Sequence, residues 1–243
     1  MKALSALPLI LMSAALPLAA ANAQTAPIAV PVTGPVVNLS VTESVDSAPD
    51  MATVGTGVQT RALTAKEAMG LNAAAMDKLI AAILKAGVDR KDVQTSGINL
   101  NPQYDYNNRP EGAGPKFIGY EASNQLTVKL RRIASVGDVI DRMVAAGATN
   151  INGPSFGLAD DAPVLEKART KAIATSRARA EYYAAQTGYR TVRLLSISEG
   201  GDVGRVFPAP MMMRADSAAK GTSVEPGQLS TSVILSVQYV LEK

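Results

Sequence analysis

Cysteine and histidine are both absent from all 243 residues. Without Cys there is no disulfide to brace the fold, no thiol nucleophile and no thiolate metal ligand. Without His there is no imidazole acid or base, and the usual zinc and copper shells lose their commonest donor. Tryptophan is missing too, and aromatic residues make up only 4% of the chain. A core must therefore be assembled from Val, Ile, Leu, Ala and Met. Neither sign of charge is in excess: 24 Lys and Arg stand against 21 Asp and Glu, for a net charge of +3. So even a balance lacks the electrostatic footprint of a nucleic-acid binder.

The first residues do carry an export pattern. Lys2 precedes an apolar run over residues 3–21, and Ala21-Asn22-Ala23 places small residues where a signal peptidase reads them. Residues 1–23 are expected to be a signal peptide, cleaved before Gln24. Pro8 and Pro17 interrupt the run and no basic stop follows it, which separates it from a membrane anchor. Nothing later is apolar for long enough to span a bilayer, so no membrane-spanning segment is expected after signal removal. Residues 24–35, QTAPIAVPVTGP, are Pro-rich without a period and read as an extended leader.

From residue 36 the pattern alternates. Val37, Leu39 and Val41 are separated by Asn38, Ser40 and Thr42, and a second strand over residues 52–60 follows a turn at Ala48-Pro49-Asp50. Their proximity predicts an antiparallel hairpin. Thr64 and Glu67 fit a capping box, after which Met69, Ala73, Met76, Ile80, Ile83 and Leu84 form an apolar stripe that stops at Ala86-Gly87. A strand from Val93 reaches a polar tip at residues 105–116 and returns over 117–130, with Leu126, Val128 and Leu130 on one face. A second helix starts near Ser135, carries Val136, Val139, Ile140, Met143 and Val144, and stops at Ala146-Gly147. A strand over 150–158 follows, then an Ala-rich helix from Asp160-Asp161 to Thr187-Gly188, with Pro163 in its first turn. Two last strands, 191–198 and 229–241, flank a long loop over residues 200–228. The succession strand, helix, Ala-Gly, strand occurs at 52–100 and again at 120–158. The expected fold is α+β: duplicated strand–helix–strand units in an antiparallel sheet with helices packed on one face.

Several motifs invite chemistry and fail on their context. Gly153-Pro154-Ser155-Phe156-Gly157 matches G-x-S-x-G, but that elbow needs a strand-to-helix turn and a base, and here it lies in a strand. Ser217 and Lys220 match S-x-x-K without any partner motif. Asp105, Asn107, Asn108 and Glu111 carry oxygens at spacings unlike a calcium loop, and a polar hairpin tip explains them. Asp160 and Asp161 read as helix-start residues. Lys167, Arg169, Lys171, Arg177 and Arg179 are spread around their helix instead of forming a stripe, which reads as solvated charge. Met211-Met212-Met213 in the long loop is the remaining oddity: packing or partner contact, an incidental loop, and oxidation or copper binding all stay open. No catalytic residue, cofactor or metal site is assigned. The last strand, uncharged from Leu229 to Leu241, is a candidate exposed edge through which the chain associates with itself, and the Met-bearing loop is placed at that contact.

Five stretches carry a resemblance in order along the chain. They are Val41-Thr-Glu-Ser-Val-Asp-Ser-Ala-Pro-Asp50, Gln94-Thr-Ser-Gly-Ile-Asn-Leu-Asn-Pro-Gln-Tyr104, Gly119-Tyr-Glu-Ala-Ser-Asn124, Ile151-Asn-Gly-Pro-Ser-Phe-Gly-Leu158 and Ala178-Arg-Ala-Glu181. With these the chain resembles the SIMPL-domain family, the YggE-like periplasmic proteins and the related periplasmic immunogenic outer-membrane proteins. One departure is Ser44, where such proteins usually carry Gly. The resemblance implies one SIMPL-type domain over residues 36–243, without enzymatic activity, in the periplasm or associated with the outer membrane. It also implies a link to oxidative-stress defence and oligomer formation, as in some members; a homo-oligomer, with another envelope protein as a further partner, is the expectation for this chain. A ligand- or metal-binding module using the 200–228 loop is the competing expectation.

Overall fold

A computed structural model describes residues 33–107, 114–200 and 222–243, together with the backbone course of residues 206–208. The expected signal peptide, most of the leader, Asn108, Glu111, Met211, Met212, Met213, Ser217 and Lys220 lie outside the described residues. The elements in chain order are β1 (Val36–Ser47), β2 (Met51–Ala62), α1 (Ala65–Lys85), β3 (Val93–Asp105), β4 (Lys116–Leu130), α2 (Val136–Ala145), β5 (Asn150–Gly157), α3 (Ala162–Gln186), β6 (Thr191–Glu199), β7 (Val206–Pro208) and β8 (Leu229–Glu242).

The helices form where local chemistry places them. The Thr64 hydroxyl accepts from the Glu67 N–H at 3.2 Å and caps α1. At α3 the Asp160 carboxylate accepts from the Ala162 N–H at 3.0 Å, while the Asp161 carbonyl accepts from Val164 and Leu165. The three described α-helices end alike. Gly87, Gly147 and Gly188 take left-handed backbone, and Val88, Ala148 and Tyr189 donate back to Ile83, Met143 and Ala184. These are Schellman closures, and the residue in the left-handed position is Gly each time.

The fold is α+β with antiparallel strands and packed helices, as expected, and the strands divide between two sheets. Chain order β2-α1-β3-β4-α2-β5 folds into an antiparallel sheet of spatial order β3-β4-β2-β5, the split β-α-β arrangement of ferredoxin-like folds. The sequence echo between residues 52–100 and 120–158 is this pseudo-repeat. Ala52, Val54, Val58, Leu126, Val128 and Leu130 meet Met76, Leu79 and Ile83 of α1 and Val136, Val139, Ile140 and Met143 of α2. The second sheet has the order β1-β8-β6, with β7 beside the start of β8. Its inner residues Leu39, Val41, Val233, Leu235, Val237 and Tyr239 lie under α3. That helix buries Ala168, Ala172, Ser176, Ala180 and Ala184, a residue every four. Small side chains let it sit close to the strands, and the Ser176 and Tyr239 hydroxyls meet at 3.0 Å inside that contact.

Three expectations are corrected. β1 and β2 do not form a hairpin: β1 pairs with β8, and β2 pairs with β4 and β5. The intervening Asp50 is committed elsewhere, its N–H to the Gly157 carbonyl at 3.2 Å and its carboxylate to the Ala159 N–H at 2.7 Å, so the chain crosses between sheets. The buried face of α1 is centred on Ala68, Asn72, Met76, Leu79 and Ile83; Ala73 is exposed and Met69 only half-buried. β8 is central, not an edge. Its freedom from charge reflects burial between β1 and β6. Within the 200–228 stretch, residues 206–208 form β7, and Thr222 meets α2, where Asp141 accepts from the Thr222 hydroxyl at 2.6 Å and its N–H at 3.3 Å. Gly137 has no side chain where the Thr222 carbonyl comes against α2.

Candidate functional site

The chemical motifs fold into structural roles. Ser155 sits within β5 opposite Thr53, in a strand with a cis Gly153–Pro154 bond and no helix following at once. The Asn107 N–H donates to the Asp105 carboxylate at 2.9 Å, as in a tight polar turn. Among the described residues no three acidic side chains gather as a metal site. Ser155 and Asp105, which are described, lie in different places: one within β5, the other at the end of β3.

The cations of α3 are not merely solvated. Arg169 forks onto Glu199 of β6 at 2.9–3.1 Å, and Lys171 meets Glu43 of β1 at 2.8 Å. Arg177 pairs with Glu181 one turn on, and Arg179 reaches the Ser40 carbonyl of β1 at 3.2 Å. Charges spread around the helix thus serve both flanks of the sheet beneath it. Hydrogen bonds from Lys171 and Thr175 hold the Glu43 carboxyl below its ordinary range, and those from Arg169 do the same for Glu199. On the other sheet Arg131 grips the buried Asp92 through two bonds of 2.8 Å, depressing its carboxyl against the opposing effect of burial. Sequence reading passed over this pair because 39 residues separate its members.

What sequence reading missed most is surface. α1 lies mainly over β2 and β4 and covers little of β3, and Ile98, Leu100 and Tyr104 are exposed on that strand. Tyr104 stacks edge-on against Phe117 at 5.7 Å, and Phe117 against Tyr120 at 5.3 Å. Exposed Leu63 and Ile118 line a shallow cavity of about 210 Å³ with Arg61, Gln103 and Tyr120. The β3–β4 arm thus carries a large share of the exposed apolar and aromatic side chains, a pattern of contact surfaces.

Two antiparallel sheets with their helices define an α+β protein. The chain belongs to the SIMPL family, described as a protein of unknown function (DUF541), whose model matches residues 37–239 and so spans both sheets. It is 39% identical over 159 residues to a 26 kDa periplasmic immunogenic protein of Brucella melitensis biotype 1, covering 63% of this chain and 62% of that protein. The protein of the same name from Brucella abortus strain S19 is 38% identical over the same length. The uncharacterized protein YggE of Escherichia coli strain K12 is 29% identical over 188 residues, 76% of this chain and 74% of that one. The chain thus spans somewhat less than two thirds of the Brucella proteins' length. None of these names states an enzymatic activity. No described helix is long and apolar enough to cross a membrane.

Proposed function

We propose that this chain is an exported, non-enzymatic protein of the bacterial envelope, periplasmic once residues 1–23 are removed, and that it works by associating with itself. The exposed apolar arm of β3 and β4 carries this reading, since monomeric soluble proteins rarely leave such a patch in water. Export is supported by Ala21-Asn22-Ala23 and by the periplasmic names of the Brucella relatives. The absence of His and Cys supports the non-enzymatic part. A link to oxidative stress belongs to the proposal through Met211, Met212 and Met213, whose thioethers are readily oxidised in a chain without thiols. Light scattering across micromolar concentrations tests the central claim: a mass above the monomer is expected, and Leu100→Ser with Phe117→Ser is expected to reduce it. A wild-type monomer throughout refutes self-association. A fluorophosphonate probe should leave Ser155 unlabelled, and saturable Cu(I) binding would favour a metal-binding role for the 200–228 loop instead.

A further inference from the structure

The two sheets are bounded by strands that differ in how their free sides are protected. β3 contains Pro102 and two register shifts, β5 contains Pro154, and β6 has a register shift at Leu194/Ser196 and is continued by β7 with Pro208. Prolines and bulges are the ordinary means of stopping an edge from pairing with another chain. β1 has neither. Its twelve residues keep unbroken register with β8, with no Pro, Gly or Lys between Val36 and Ser47.

Backbone parity identifies its free groups. The Leu241 N–H donates to the Pro35 carbonyl at 2.9 Å, one step beyond the pair Val36–Val240. In an antiparallel ladder alternate residues turn both backbone groups to the same partner. Odd residues of β1 therefore face β8, while Asn38, Ser40, Thr42, Ser44 and Asp46 point theirs off the edge. Two α3 cations sit at two of those carbonyls: Arg179 donates to Ser40 at 3.2 Å and Lys171 to Ser44 at 3.5 Å. The match is metric, since eight helical residues rise about 12 Å and four strand residues about 13 Å. Lys171 also holds Glu43, but no carboxylate among the described residues pairs with Arg179.

We infer that two copies of this chain join through β1, antiparallel about a two-fold axis at Thr42, making one continuous sheet from the two β1-β8-β6 sheets. This rests on the self-association proposed above and adds a second surface to it, on the other sheet from the β3–β4 arm. In that register Ser40 faces the partner's Ser44, Asn38 faces the partner's Asp46, and Thr42 meets its own equivalent, a favourable cross-strand pair. Five outward residues on each strand exchange about ten backbone hydrogen bonds. On the helix side Val41 faces the partner's Glu43, which brings that carboxylate beside Arg179, and the two-fold repeats the contact. Arg179 then trades a neutral carbonyl for a carboxylate as the incoming strand takes over Ser40. Other registers lose this. Centring on Ser40 sets the partner's Glu43 against Val37, and centring on Ser44 sets it against Val45, both farther from Arg179.

The missing cysteines make the test clean, because Thr42→Cys introduces the sole thiol. Hydrogen-bonded antiparallel pairs hold Cα atoms about 5.5 Å apart, within the span of a disulfide. Oxidation of the full exported chain bearing Thr42→Cys with diamide is expected to yield a covalent dimer on a non-reducing gel. Asn38→Cys is expected to stay uncrosslinked, since its two copies stand about 26 Å apart in this register. Thr42→Pro removes an outward N–H and leaves the β1–β8 ladder whole; it and Arg179→Glu are each expected to raise the dimer dissociation constant at least tenfold. Equal crosslinking at both cysteine positions, or none at Thr42→Cys in a protein that scattering shows to be associated, overturns β1 pairing and leaves self-association standing. A wild-type monomer at every concentration removes both.

Discussion

Replacing Asn72 probes how α1 is seated on the ferredoxin-like sheet. The residue is buried, and its amide donates to the Val58 carbonyl at 3.2 Å and the Ala122 carbonyl at 3.0 Å, on two paired strands. Each bond contributes about 1 kcal/mol net, and Asn72→Ala adds a small void, so a loss of about 2–4 kcal/mol is expected. At about 2–4 °C per kcal/mol for a domain of this size, a loss of about 3 kcal/mol lowers Tm by about 6–12 °C. Asn72→Asp is the sharper probe. It keeps the shape but sets a carboxylate against two carbonyl oxygens, with no donor to offer. Burial and those oxygens favour the neutral acid, raising its folded pKa above the ordinary value of about 3.9. The folded state then holds the proton more tightly than the unfolded one, and the variant loses stability as pH rises through the interval between the two values. Urea melts followed by circular dichroism at pH 4.5 and 7.5 should show its deficit against wild type widening at the higher pH. A deficit that stays constant, or an Asn72→Leu variant as stable as wild type, refutes the bridging role.

Three further outcomes follow from the packing and charge of particular residues. Gly137→Ala drives a methyl into the Thr222 carbonyl and should cost about 1–3 kcal/mol by urea unfolding, with protease sensitivity rising around residue 222. Asp92 has a depressed folded pKa, so its stabilisation is present above the unfolded value and lost as pH falls through the folded one. Asp92→Asn should therefore be less stable than wild type at pH 6, with a shallower decline on acidification, and parallel declines would count against the Arg131 pairing. Met76 and Met143 are buried, so mild peroxide should oxidise them after Met211, Met212 and Met213 on peptide mapping; the reverse order would show the long loop to be the better protected.

Helix limits were legible along the chain because their causes are local: Thr64 three residues before Glu67, Asp160 and Pro163 at a start, and Gly in each left-handed stop. The alternation of β2 and β4 and the strand–helix–strand echo were legible for the same reason. The expected apolar stripe of α1 left out Asn72, whose buried amide donates to two carbonyls from strands distant in sequence. Strand partnership was not legible at all. Val36–Ser47 and Leu229–Glu242 pair although nearly two hundred residues separate them, and nothing local distinguishes that pairing from a hairpin with Met51–Ala62. The same holds for the charges of α3. Lys171 and Arg179 looked scattered on a helical projection and acquire meaning only from the β1 carbonyls they reach. Periodicity and caps act over a few residues and are written in the chain; which strand becomes an edge depends on which apolar faces fit together, and only the folded molecule decides that.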